Sequence, residues 1–172
     1  MPVTHSNFNG LQVQNICNLA ILPLKTKTKG PAPPQSEGED IIDEALTAFK
    51  ANVFFKNFEV KGNADRLLVY VTLYISQALL KMPNLKKGDA EKQLFALAIE
   101  NFALPGDKNF ALGGIVTNPA NRGETDTIRQ YLTQIRQETG QRLLQKVYAN
   151  GDAAPDKWWM CFNKRKFLNK NL

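Results

Sequence analysis

From Asp40 onward the apolar residues of this chain recur at helical steps. Ile41, Ile42, Ala45, Leu46, Phe49 and Val53, with Phe54 at the margin, fall three and four apart and predict one buried helix face. Asp43 and Glu44 sit early in it, where the helix dipole favours anions. The stretch Phe49 to Phe58 then holds four phenylalanines in ten residues, which cannot all point one way on a single helix. Some are expected in the core and others against another surface. Gly62 followed by Asn63-Ala64-Asp65 reads as a stop and an N-cap, opening a helix that runs to about Met82, just before Pro83. That helix is apolar on nearly all sides, broken only by Thr72, Ser76 and Gln77, so it must be surrounded by other elements. Its valines and isoleucine leave a strand as the competitor, and its length favours a helix.

Gly88-Asp89 predicts a cap for a shorter helix from Ala90 to about Phe102, with Leu94, Leu97, Ala98 and Ile99 as its face. Leu104-Pro105-Gly106-Asp107 is a turn signal, and Phe110 to Asn121 reads as a loop. Asp126 to Tyr148 carries the clearest helical period, through Ile128, Tyr131, Leu132, Ile135, Leu143, Leu144 and Val147. Arg129, Gln134, Arg136, Gln137 and Arg142 fill its other faces. Gly140, mid-helix, fits either a close helix–helix approach or simple tolerance at about 1 kcal/mol. Asn150-Gly151 ends the helix, and Pro155 suits the first turn of a last helix carrying Trp158 and Trp159.

The first 38 residues are different. Pro23, Pro31, Pro33 and Pro34 with Gly30 and Gly38 exclude a long helix there. Ile16 to Leu24 is mostly apolar, and Lys25-Thr-Lys-Thr-Lys29 alternates charge and hydroxyl, as in an extended segment with its lysines outward or a strip for phosphates or acids. No internal repeat and no sustained heptad run is present. The expectation is an all-α fold: a single multihelical domain over 1–172, with an extended arm (1–38), a helical body (39–172) and one central apolar helix packed among others.

Composition narrows the chemistry. With 172 residues and 43% hydrophobic content, the chain can bury a real core. Its net charge of +6 points to an acidic partner, whether nucleic acid, anionic lipid or protein. The apolar run Leu67 to Leu80 is shorter than the ~20 residues a bilayer span needs. Met1-Pro-Val-Thr-His-Ser-Asn7 lacks the charged-then-apolar pattern of a signal peptide, so a cytoplasmic protein with Cys17 and Cys161 reduced is expected.

No phosphate-binding glycine loop and no H-E-x-x-H pattern occurs. His5 is the only histidine, so neither a Ser-His-Asp triad nor a histidine-based metal site can be assembled. Asp43, Glu44 and Asp65 lie at helix starts, where capping explains them. No catalytic, cofactor or metal site is expected.

Two binding modes remain. The aromatic and basic end of the chain, Trp158, Trp159, Phe162 and Phe167 with Lys164, Arg165, Lys166 and Lys170, could stack on bases and neutralise phosphates, as a basic helical nucleic-acid-binding protein would. Alternatively, the same end and the phenylalanine-rich stretch are docking surfaces with aromatic anchors and a basic rim for an acidic protein. The bland alternative for the basic run is a solvated helix end facing the C-terminal dipole.

Several long strings are familiar. Phe49-Lys-Ala-Asn-Val-Phe-Phe-Lys-Asn-Phe-Glu59, Asn63-Ala-Asp-Arg-Leu-Leu-Val-Tyr-Val-Thr-Leu-Tyr-Ile-Ser76, Arg136-Gln-Glu-Thr-Gly-Gln-Arg-Leu143, Gly30-Pro-Ala-Pro33 and the end from Lys157-Trp-Trp to Lys170 resemble the subunit 3 family of the actin-related protein 2/3 complex. The likeness runs in order over nearly the whole chain. It implies an all-helical, non-catalytic subunit of a seven-protein assembly that nucleates branched actin filaments at the actin cytoskeleton. The implied main partner is actin-related protein 3, with actin-related protein 2 and the mother filament nearby in the active state. Neither nucleic acid nor membrane insertion is implied, and nucleotide binding would belong to the actin-related proteins. From the residues themselves, the candidate partner-binding set is Lys50, Phe54, Phe55, Lys56, Phe58, Trp158, Trp159, Lys164, Arg165 and Lys166. No motif assigns any of them to one partner.

Overall fold

The computed structural model describes residues 3–172, so Met1 and Pro2, and what the sequence suggests of them, lie outside the described residues. A short hairpin, β1 (Asn15–Ile16) and β2 (Leu19–Ala20), precedes four helices: α1 (Ile41–Asn52), α2 (Asn63–Leu79), α3 (Lys87–Ile99) and α4 (Arg122–Val147). A one-turn helix α5 (Lys157–Met160) and a 3-10 turn at Phe167–Asn169 follow. The fold is mostly helical, as the periodicity predicts.

Helix α2 is the hub and packs against α1, α4, β2 and the 3-10 turn. Leu67, Val69, Val71, Tyr74, Ile75 and Leu79 are fully buried, which is why the sequence there is apolar on all sides. The helix is one turn shorter than predicted, ending at Leu79 rather than Met82. Its start is capped in an unexpected way. Asn63 is helical, the N-cap position is Gly62, and no local side chain caps it. The cap comes from the arm instead: Asn9 Oδ1 accepts from Asp65 N–H at 2.9 Å. A Cβ on Gly62 would lie 2.7 Å from that Asn9 oxygen, so only glycine admits this cap.

The other boundaries also moved. Helix α3 starts at Lys87, with Gly88 inside its first turn, and Lys86 provides no side-chain cap. Helix α4 starts one turn earlier than predicted, because Asn121 Oδ1 accepts from Glu124 N–H at 2.9 Å. Pro155 precedes Asp156, the N-cap of α5, instead of opening the helix. Gly140 faces α3, but a Cβ there would meet Leu94 Cβ at an ordinary 3.6 Å. Packing therefore tolerates this glycine without requiring it.

The arm is no loose strip. Ile16, Leu19, Ile21, Leu22 and Leu24 are buried in the same core as the helices. Cys17 and Asn18, both at positive φ (56° and 62°), make the two-residue turn of the hairpin. The sequence carries no glycine there to signal it. The arm's backbone has few strand partners, and a buried N–H or C=O must still be paired. Helix α4 supplies the partners from residues spaced three and four apart. Tyr131 Oη donates to Leu22 O and accepts from Leu22 N–H, both at 2.9 Å. Gln134 accepts from Ala32 N–H and donates to Thr28 O. Glu138 accepts from Thr26 Oγ1 at 2.8 Å. Arg142 donates to Lys25 O at 2.7 Å. The sequence placed Gln134, Arg136 and Arg142 on outer faces, and that is corrected: Gln134 and Arg136 are buried and Arg142 is largely so. Gln134, Glu138 and Arg142 are polar because the arm lies over them, whereas buried Arg136 turns to α3 and donates to Leu97 O.

Arg142 also holds the start of α1. Asp40 and Asp43 form a reciprocal capping box, each carboxylate accepting the other's backbone N–H. Arg142 grips Asp40 at 2.6 and 2.7 Å, Asp43 at 3.1 Å and Glu138 at 2.9 Å. Burial pushes the Asp40 carboxyl up, but the Arg142 bonds and charge and the amides of Lys25 and Asp43 outweigh it, leaving its pKa below the usual value.

Candidate partner-docking face

Two segments far apart in sequence meet at one end of the molecule. Helix α1 ends at Asn52, and the chain then runs irregularly to Lys61. Of its four phenylalanines only Phe49 is helical and fully buried. Phe55 and Phe58 are half-buried and Phe54 is 54% exposed, so the stretch divides between core and solvent. The second segment is 157–172. Asp156 sets its direction, accepting from Trp158 N–H at 2.7 Å while its own N–H donates to Val147 O.

Aromatic rings join the segments. Trp159 stacks on Phe49 at 6.1 Å between centroids. Phe162 places its edge on Phe49 and on Phe54, at 6.3 and 5.7 Å. Lys50 Nζ lies 4.5 Å from the Trp159 ring centre, and the Arg165 guanidinium lies 5.1 Å from that of Phe54. Farther along, the Phe55 carbonyl accepts from Leu168 N–H at 3.0 Å, and Phe58 meets buried Phe167 edge-on. His5 packs on Phe58 and sits 2.7 Å from Asp65 Oδ2, so the histidine is structural. Asp65 is not just a capping residue, since it also accepts from Ser6 and Lys61 N–H. Burial raises the pKa of its carboxyl, yet these donors with Asn9 and His5 bring it below the usual range. Glu44 receives Ser6 Oγ and Asn7 N–H, and there burial prevails and raises the pKa.

The structure thus brings Lys50, Phe54, Trp159 and Arg165 together through Phe49 and Phe162, and Phe55 and Phe58 together with the 3-10 turn. Trp158 stands apart, 66% exposed, with Lys157 as its neighbouring cation. Lys56, Lys164, Arg165 and Lys166 are exposed and make no ion pair among the described residues. The basic run is not a helix end. Helix α5 stops at Met160, Lys164 closes the turn that follows, and Arg165 and Lys166 are irregular. Trp159 and Phe167 are turned inward, which removes two of the rings a base would stack on. What remains exposed is Phe54, Trp158 and cations that make no ion pair among the described residues.

Sequence periodicity missed one exposed patch. On α3, Ile99 is 52% exposed instead of core-facing, and Phe95 is 62% exposed. The signal was there: Phe95 falls off the Leu94–Leu97–Ala98 face. Among the described residues no group of three or more His, Cys, Asp or Glu could hold a metal ion, and no helix is long and apolar enough to cross a membrane.

Comparison with known proteins accords with this surface-rich, helical chain. The family model described as P21-Arc, the ARP2/3 complex ARPC3 (21 kDa) subunit, matches residues 1–172. The protein called actin-related protein 2/3 complex subunit 3 in Dictyostelium discoideum is 55% identical over 99% of both chains. Proteins of that name in Schizosaccharomyces pombe and Saccharomyces cerevisiae are 50% and 41% identical, each over 100% of both chains. With a model match end to end and identities well above those of distant relatives, the chain belongs to the family of subunit 3 of the actin-related protein 2/3 complex.

Proposed function

We propose that this chain is a non-catalytic subunit of an actin-related protein 2/3 complex and supports nucleation of branched actin filaments. The observation that carries this is the family match over all 172 residues. The main partner is actin-related protein 3, with actin-related protein 2 and the mother filament approached in the active state and the other subunits completing the assembly. The site of action is the cytoplasm, at the actin cytoskeleton. The docking surface is the face built by Lys50–Phe58 and Trp158–Lys166. Phe54, Lys56, Trp158, Lys164, Arg165 and Lys166 reach the partner. Trp159, Phe55 and Phe58 hold the shape of the face. Its chemistry supports this: exposed aromatics supply contact area and unpaired cations complement an acidic surface.

The mechanism is scaffolding. A subunit shifts an assembly toward its active arrangement only by binding that arrangement more tightly than the inactive one. The chain therefore accelerates branching through differential affinity, with no step of chemistry of its own. The test is an affinity pull-down of the tagged chain from its own cell lysate, followed by branching assays on complexes with and without it. Co-recovery of both actin-related proteins, and slower branching in its absence, are expected. Recovery of the chain alone, or branching at the normal rate without it, would overturn the proposal.

A further inference from the structure

Sharing Lys164, Arg165 and Lys166 with the docking face, a groove of about 540 Å³, a size suited to a small molecule, opens on its far side toward α2. One wall is the C-terminal half of α2, where Leu73 and Ser76 face it, with Leu80 just past the helix end, and the other is formed by residues between Asn163 and Leu172. Five cations line it: Lys81, Lys164, Arg165, Lys166 and Lys170. No carboxylate side chain lines it, and none of the five makes an ion pair among the described residues. The negative end of α2 lies near Lys81, but it carries only about half an elementary charge. The Arg165 guanidinium lies 5.1 Å from the Phe54 ring centre and makes no side-chain hydrogen bond among the described residues, so its N–H groups remain able to donate. Ser76 Oγ has no hydrogen-bond partner.

We infer that this groove binds a small polyanion carrying two or more phosphate esters, of the kind found in a polyphosphorylated inositol. Concentrated charge favours phosphates over an acidic peptide. Each phosphate monoester brings about −1.5 to −2 in a compact group with three acceptor oxygens, whereas peptide carboxylates bring one charge each, spread along a chain. The inference does not rest on the assembly proposed above.

The test is a titration of the full-length chain with inositol 1,4,5-trisphosphate, alongside flotation with phosphatidylcholine vesicles containing phosphatidylinositol 4,5-bisphosphate. Saturable binding at one site is expected. Lys164→Gln/Lys166→Gln/Lys170→Gln should weaken it by about tenfold or more, as loss of several charge-assisted contacts implies. Lys92→Gln/Lys108→Gln/Lys146→Gln, an equal loss of exposed charge elsewhere, should leave it unchanged, with thermal unfolding of both variants matching the parent. Vesicle binding that the soluble compound displaces identifies a lipid headgroup, and binding of the soluble compound alone identifies a free phosphate ester. Either supports the inference. Absence of saturable binding, equal weakening by both triple variants, or displacement by a glutamate-rich peptide at equal charge would overturn it.

Discussion

The two ends of the chain are both largely irregular, and both lie across the helices, yet they are held in opposite ways. Beyond the burial of Ile16 to Leu24 in the core, the N-terminal arm is fixed by polar bonds: Asn9 caps α2, and Tyr131, Gln134, Glu138 and Arg142 of α4 take up its backbone and hydroxyl groups. The C-terminal segment is fixed mainly by rings, with Trp159, Phe162 and Phe167 on Phe49, Phe54 and Phe58. Its cations are left without carboxylates. Polar groups already satisfied inside a fold have little left to give a partner, whereas unpaired exposed charge is available. The arm's polar groups are spent inside the fold, whereas the other end keeps exposed charge available, which is why the docking face is proposed there.

Breaking the arm's anchor should have the largest effect. Arg142→Ala leaves the fully buried Asp40 without its counter-charge, so a loss of about 3–5 kcal/mol is expected in urea unfolding. A loss below about 1 kcal/mol, the value of a surface pair, would mean that the polar anchoring is decorative. The adjacent tryptophans sharpen the comparison at the other end. Trp159→Ala should cost about 3 kcal/mol of stability as a buried aromatic is removed. Trp158→Ala should stay within about 0.5 kcal/mol while weakening recovery of the actin-related proteins in a pull-down. Equal effects on stability would refute the division into anchor and contact.

Tyr131→Phe isolates one tether. It strands Leu22 N–H and C=O inside the core, at an expected cost of about 1–3 kcal/mol, and hydrogen exchange at Leu22 should accelerate.

Acid should loosen the arm. The pKa values of Asp40 and Asp65 are lowered on folding, so their stabilisation is present above the unfolded aspartate value of about 3.9 and is lost as pH falls through the folded values. Glu44, whose pKa is raised, acts in the opposite sense and loses its contribution as pH rises through its folded value. Asp65→Asn should therefore flatten the acid limb of a stability-versus-pH curve, and an unchanged limb would rule out this residue as its source. The smallest expected effect is a gain. Gly140→Ala meets Leu94 at an ordinary distance and should stabilise α4 by up to about 1 kcal/mol. Destabilisation would show that α3 and α4 are closer than their contact implies.

The sequence by itself determined the helices and most of their buried faces, because a 3.6-residue period is a local property that survives without knowledge of neighbours. All six apolar positions from Ile41 to Val53 are buried as the spacing predicts. It also carried the family, through strings long enough to be recognised, and it singled out the two segments that the structure packs together. Tertiary structure alone decided what the polar residues do. Gln134 and Arg142 look solvent-facing in sequence, and their partners are backbone groups about a hundred residues away. The cap of α2 comes from Asn9, over fifty residues distant, where no local pattern could show it. The side-by-side tryptophans differ for the same reason: α5 turns one onto Phe49 and leaves the other in solvent. Periodicity reports which face is apolar, but pairing of buried polar groups depends on which backbone comes to lie against them, and only the folded chain specifies that.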